Sequence, residues 1–247
     1  MIAARQIAFG KGAAKKEEPP AYWWLCFTAE GAWSAVSMRA AGSAPVVTLE
    51  TSYDGEIWEP FYVGETTISL PKVGDKIYFR AGPGGNTKFA DGDYAYNYFS
   101  MLGVVAASGN IMSLLDGENM TDALTESYCY QYMFKGCTSL VNAPELPATT
   151  LAIYCYQYMF KGCTSLVNAP ELPATTLKRY CYSNMFEGCE KVSLISTRQT
   201  SFTGCTNWLS GVAQSGIFYC PTSLGTDETI VRGINACPEG WTVINKD

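Results

Sequence analysis

The sequence predicts a mixed α/β chain in several parts, an antiparallel β-sandwich followed by a short solenoid of 26-residue repeats. Three observations carry that reading. Residues 128–151, YCYQYMFKGCTSLVNAPELPATTL, recur unchanged at 154–177, and a looser third copy, YCYSNMFEGC, starts at Tyr180, so Cys129, Cys155 and Cys181 mark a period of 26. Units with a fixed period of this size bury their apolar faces only by stacking on each other. Ahead of them, residues 21–107 follow a period-two pattern broken by turn signals, as half-buried strands do. The chain of 247 residues, 47% hydrophobic and 16% charged, can support real cores.

Taken in order, residues 1–20 form an arm whose apolar side chains are Ile2, Ile7 and Phe9, followed by the basic cluster KGAAKK and by Pro19-Pro20. Two readings stand: a loose terminus, or a tether whose apolar residues anchor the chain to a partner. The β domain follows at 21–107. Expected strands are Tyr22–Thr28, Ala35–Arg39, Val46–Ser52, Glu56–Val63, Thr66–Leu70, Lys76–Arg80 and Met101–Ala106. Asp54-Gly55 reads as a type I′ hairpin turn, which needs positive φ at both central residues. Gly82 to Asn86 is a second turn. Aromatics are dense here, including Trp23, Trp24, Trp33, Trp58, Tyr94, Tyr96 and Tyr98, and either fill the sandwich or offer faces to sugar rings.

Residues 108–127 read as linker and first cap, with Asn110 starting a short helix over Ile111–Leu115 that ends at Gly117. Asn119-Met120-Thr121 matches the glycosylation sequon, which matters only on a secretory route. Within each repeat, Leu151, Cys155, Met159 and Phe160 fall on one helical face and Gly162 closes the helix. The Leu166 to Pro173 stretch that follows is extended, because proline removes a donor and disfavours helix before it. Repeats span 128–205, the last truncated at Phe202-Thr203-Gly204-Cys205, and 206–247 is the C-terminal cap.

Composition narrows the function. A net charge of −6 argues against nucleic-acid partners, and the lack of histidine removes the commonest general base and metal ligand. No apolar run reaches membrane-spanning length, and the N-terminus lacks the apolar core of a secretory signal. No nucleotide-binding, serine-hydrolase, C-x-x-C or zinc-protease motif is present, so neither catalytic residues, nor a metal site, nor a cofactor are expected. Six of the ten cysteines occupy repeat-equivalent positions and read as reduced, buried ladders in place of a disulfide framework. Glu145 and Glu171, one repeat apart, are either solvated charges or a weak Ca²⁺ site. Tyr128, Tyr154 and Tyr180 form one expected ladder and Tyr130, Tyr156 and Tyr182 another, with Tyr132 and Tyr158 a partial third. Not all can face inward, so these tyrosines are the candidate binding residues, against the alternative that they fill grooves between repeats.

The M-F-x-G-C-x-x-L core followed by a proline-bounded extended segment resembles the BspA-like leucine-rich repeats of Bacteroidales surface proteins. The wording C-T-S-L-x-x-A-P-E-L-P-A-T-T-L, with Ser108 to Gly117 before it and Trp208 to Pro221 after it, is similar to proteins of gut Bacteroidales and of the crAss-like phages that infect them. That resemblance spans residues 21–247. It implies a leucine-rich-repeat fold and adhesion without catalysis. The expected role is therefore a non-enzymatic phage virion protein, a head or tail fibre or decoration subunit, forming a dimer or trimer with itself and contacting other virion proteins. Its repeats would face a host surface glycan or protein. The alternative is a Bacteroidales cell-surface adhesin. An enzyme acting on glycans is a distant third, since it needs two carboxylates across one cleft.

Overall fold

A computed structural model describes residues 23–117 and 121–246. The anchor residues Ile2, Ile7 and Phe9 and the first two positions of the sequon lie outside them. The N-terminal half carries β1 (Leu25–Ala29), β2 (Ser34–Ala41), β3 (Leu49–Ser52), β4 (Glu59–Phe61), β5 (Thr67–Leu70), β6 (Lys76–Ala81), β7 (Tyr96–Leu102) and β8 (Val105–Ser108). Alternation builds them. In β6, Ile77, Phe79 and Ala81 are buried while Lys76 is exposed and Tyr78 and Arg80 are half-buried. Two sheets result, one ordered β4-β3-β6-β1-β8, with a strand from the repeats beyond β8, and one ordered β5-β2-β7. Their inner faces meet through Phe27, Phe79 and Phe99, with ring centroids 4.8 to 5.5 Å apart.

Some boundaries differ from expectation for visible reasons. The expected strand over Met101–Ala106 is two strands, β7 and β8, folded about Gly103 at φ 70°. A Cβ there would come within 2.9 Å of the Ser34 backbone. Asp54-Gly55 is not a type I′ turn, because only Gly55 has positive φ. The Asp54 carboxylate instead accepts the backbone N–H groups of Glu56 and Ile57 at 2.8 and 2.9 Å, which opens a longer loop. Those two bonds, that from Ile57 first, hold the Asp54 carboxyl below its usual range. The short helix is α1 (Ser113–Asp116), with Asn110 Oδ1 accepting from Met112 N at 2.8 Å and Gly117 ending it at φ 67°.

The expected mixed α/β chain with a leucine-rich-repeat solenoid is overturned. Among the described residues α1 is the one α-helix and is four residues long, and three sheets carry the regular structure. The repeats contain no helix. Each is a run of tight turns followed by an extended segment, from which come the short strands β9 (Leu140–Asn142) and β10 (Leu194–Ser196). With β11 (Ile217–Cys220) and β12 (Thr242–Asn245), β10 makes a parallel three-stranded sheet, while β9 joins β8 in parallel. Buried apolar side chains form one cluster from Leu25 to Val243.

The turn runs explain why a helix was expected. A helix would bond each N–H to the carbonyl four residues back. Here Gln131, Met133, Lys135 and Cys137 bond three residues back, while Tyr128, Tyr130, Tyr132, Phe134 and Gly136 donate to the next copy, to Ile153, Cys155, Gln157, Met159 and Lys161. Every fourth residue reverses the turn with positive φ: Tyr128, Tyr132 and Gly136, then Tyr154, Tyr158 and Gly162. A four-residue turn repeat places i and i+4 on one face just as a helix does. The spacing is shared, and the bonding is not.

Both ends of the stack are covered by unlike sequence. At the front, Phe89 and Phe99 donate to the carbonyls of Cys129 and Met133, and their rings continue the ladders of Tyr130 and Phe134. At the back, Trp208 stacks on Tyr182 and its indole donates to the Ala236 carbonyl at 2.9 Å. The outer edge of β12 is blunted, since Val243 N donates to Asp227, which also pairs with Arg232.

Candidate binding surfaces on the repeat stack

Identical residues in successive copies sit directly over one another. Tyr128 and Tyr154 stack at 4.8 Å and 7°, and Tyr154 and Tyr180 at 5.2 Å. Tyr130, Tyr156 and Tyr182 stack at 6.0 and 6.2 Å, and Phe134, Phe160 and Phe186 at 5.3 and 5.4 Å. The separations follow the rung spacing that backbone hydrogen bonds impose between copies.

Burial divides the candidate tyrosines. Tyr130, Tyr156 and Tyr182 are interior, at 0%, 1% and 1% exposure, so they pack the core and cannot touch a ligand. The reason is their position on the inward side of the turns, among the buried Cys129, Cys155, Cys181, Met133, Met159 and Met185. Burial pushes their phenol pKa values well up. Tyr128, Tyr154 and Tyr180 are half-buried. Their ring faces are occupied by each other, and Arg179 lies 4.7 Å over the last ring, so what this ladder offers is a row of phenol edges. The partial third ladder matters more than the sequence indicated. Tyr132 and Tyr158 stack at 4.8 Å, and Tyr96 of β7 extends them, 4.3 Å from Tyr132. Lys135 sits 4.5 Å over Tyr132, and Lys161 sits 5.2 Å over Tyr158. The Tyr132 phenol donates to Asp93, and burial, then Asp93, raise its pKa.

All ten cysteines are buried free thiols. Those at the ends of the turn runs reach back one layer: Cys137, Cys163 and Cys189 donate to the carbonyls of Phe99, Phe134 and Phe160 at 3.1 to 3.2 Å. Burial pushes Cys137 and Cys189 up to about 12, which keeps them protonated and unreactive. In the other ladder the Cys155 thiol donates to Cys181, lowering the pKa of Cys181, while burial raises that of Cys155.

Glu145 and Glu171 flank an open cleft of about 400 Å³ floored by Pro144, Pro147, Pro170 and Pro173. Arg198 approaches Glu171 at 3.7 Å, so the second carboxylate has a cation in the third layer. Among the described residues no group of three or more His, Cys, Asp or Glu side chains is arranged to hold a metal, and no helix is long and apolar enough to cross a membrane. Compared with protein-family models, curated proteins and solved structures, the chain matches none.

Proposed function

We propose that the chain is a non-enzymatic display protein of a phage virion, a head or tail fibre or decoration subunit whose surface meets the host cell. One observation carries the reading. The duplicated 24 residues stack with the same ring ladders and the same backbone bonds in each copy, so copy number can change without a new core being invented. Such a stack is a rigid spacer and a surface of adjustable length. The resemblance of the repeat wording to proteins of gut Bacteroidales and their phages supports the same reading. Assembly as a dimer or trimer, with contact to other virion proteins through the arm, belongs to this proposal.

Similarity to Bacteroidales surface repeats favours a second reading, a cell-surface adhesin. Mass spectrometry of purified particles and of host membrane fractions separates the two. Peptides from residues 1–20 in particles support the virion component, and the protein found only in membranes supports the adhesin.

A further inference from the structure

The sheet β5-β2-β7 turns one face to the core and leaves the other open. Along β2 the residues at 35, 37 and 39 point outward, in register with Leu102, Ser100 and Tyr98 of β7, and with Ser69 and Thr67 of β5 beside 35 and 37. The middle of this face is a flat floor of small side chains, Ala35, Ser37, Ser69, Ser100 and Thr67, all half-buried or exposed. A sheet meant to pack against protein would carry large β-branched or aromatic residues there. Here Leu102, 68% exposed beside Ala35, stands at the Trp33 end, and the middle carries hydroxyls.

Aromatic rings stand at both ends of the floor. At one end Trp33 is 77% exposed, and its backbone holds φ 60°, a left-handed conformation unfavourable for a bulky residue. The turn that imposes it is pinned: Trp33 N donates to the Pro71 carbonyl at 3.0 Å, and Ser34 Oγ donates to the carbonyls of Gly31 and Val104 at 2.8 and 3.1 Å. An exposed indole is thus held in one place by a strained, over-determined turn. At the other end lie Tyr98 and Tyr96, 5.6 Å apart, continuing into the Tyr132 ladder. The six residue steps from Trp33 to Arg39 cover about 20 Å at strand rise, room for several linked sugar rings.

Charge at the tyrosine end selects among sugars. Arg39 is exposed beside Tyr98, and Lys135 lies 6.0 Å over Tyr96 as well as over Tyr132. Neither makes an ion pair with a described residue, although the chain as a whole carries −6. Glu65 sits in the turn before β5, beyond the last paired residue, Thr67. Asp93 stands at this end as well, held by the Tyr132 phenol and the Gln131 amide. The two cations outside any ion pair, next to stacking rings on an acidic protein, complement carboxylates borne on a chain of rings. We infer that the open face of the β5-β2-β7 sheet binds an anionic polysaccharide of the uronic-acid type. Trp33 and Tyr98 stack on its pyranose faces, the serine and threonine floor meets its hydroxyls, and Arg39 and Lys135 meet its carboxylates. This rests on the display reading and moves the recognition surface from the tyrosine repeats to the β domain.

The test is calorimetric titration of the full chain with polygalacturonate at low salt, with dextran as the uncharged comparison, alongside Trp33→Ala and the double variant Arg39→Gln/Lys135→Gln. Far-ultraviolet circular dichroism of each variant establishes that it folds. Expected are binding of polygalacturonate but not dextran, a loss of affinity of tenfold or more in each variant, and weakening with added salt. Equal binding of dextran, or full binding by either folded variant, overturns the inference, as does no binding of polygalacturonate by the parent chain. Light scattering identifies the rival occupant: if the parent is a dimer that Trp33→Ala converts to monomer, the face is a self-interface and the inference falls. Labelled protein on host cells separates this inference from the display reading. Cell binding that polygalacturonate does not compete retains display and removes the ligand. Polygalacturonate binding without cell binding retains the ligand and removes display.

Discussion

Tyr130 and Tyr156 sit at the same place in two identical 24-residue blocks, yet their phenols meet different surroundings, which makes the pair a controlled experiment. Tyr130 Oη donates to the Ile111 carbonyl at 2.8 Å in a fully buried setting. That carbonyl also accepts the Leu114 N–H at 3.0 Å, so removing the phenol oxygen leaves it with one partner. Tyr130→Phe therefore costs about 1 kcal/mol, the net worth of one neutral hydrogen bond, without the full penalty of an orphaned acceptor. Tyr156 Oη is equally buried and has no partner. Tyr156→Phe deletes an unsatisfied hydroxyl whose burial costs about 1–3 kcal/mol, offset in part by an oxygen-sized void. The expected outcome is a neutral or stabilising change, of up to about 1 kcal/mol. Urea unfolding followed by circular dichroism reads both, with equal slopes required before midpoints are compared. The side chain, the substitution and the neighbouring sequence are the same in both, so a difference in sign can come only from the layer in front. If Tyr156→Phe loses as much stability as Tyr130→Phe, its hydroxyl has a partner and the argument from position fails.

Gly162→Val, at φ 76° with the added Cβ meeting only the Gly136 Cα at an ordinary 3.9 Å, is expected to cost about 1–3 kcal/mol, mainly from backbone strain; unchanged thermal melting would remove the turn assignment at Gly162. Gly204→Ala is expected to cost more, because its Cβ would come within 2.4 Å of the Lys178 carbonyl, and the two melting curves should rank in that order. Removing residues 152–177, one whole period, should leave a folded protein with a single cooperative transition, since the retained copy meets the same partners in front and behind; loss of the dichroism signal would show that the copies are not interchangeable. Alkaline stability has a defined sign. Cys137 and Cys189, raised by burial from 9.0 to about 12, contribute stability that is fully present below pH 9 and is lost as pH rises toward 12, so denaturation midpoints should hold up to about pH 9 and fall above it. A midpoint that rises between pH 9 and 11 would contradict burial of these thiols.

Much of the strand grammar was legible because alternation of exposed and buried residues is written directly in sequences such as that of β6. The 26-residue period was legible because it is a literal repetition. The repeat interior was not, and the reason is geometric: reversing turns every four residues give Leu151, Cys155 and Met159 the same face that a helix would. Tyr128 and Tyr132 at positive φ were the hidden signal, visible only as aromatics spaced by four around a shared face. The front of the stack was hidden for another reason. Phe89 and Phe99 play the part of a repeat without its wording, because a ring and a backbone N–H at the right height suffice. Of the surfaces, the sequence pointed to the tyrosines as a class, but which ladder lies inside depends on the turn geometry. Trp33 was legible as one of many tryptophans and not as the one at 77% exposure, since its outward pose comes from a pinned turn between segments far apart in sequence.

The backbone bonds between copies run along the stack, from Tyr128 to Ile153, then from Tyr154 to Arg179, and onward. Tension on the two ends of the chain therefore loads a few bonds at a time, and layers peel off in series. Each layer lost frees 26 residues, about 90 Å of extended chain, in exchange for one rung of roughly 5 Å. A short stack thus stores a long tether. Anchored at one end and gripped at the other, it would answer a sudden pull by lengthening stepwise, in a sawtooth of equal increments, before the grip itself is strained.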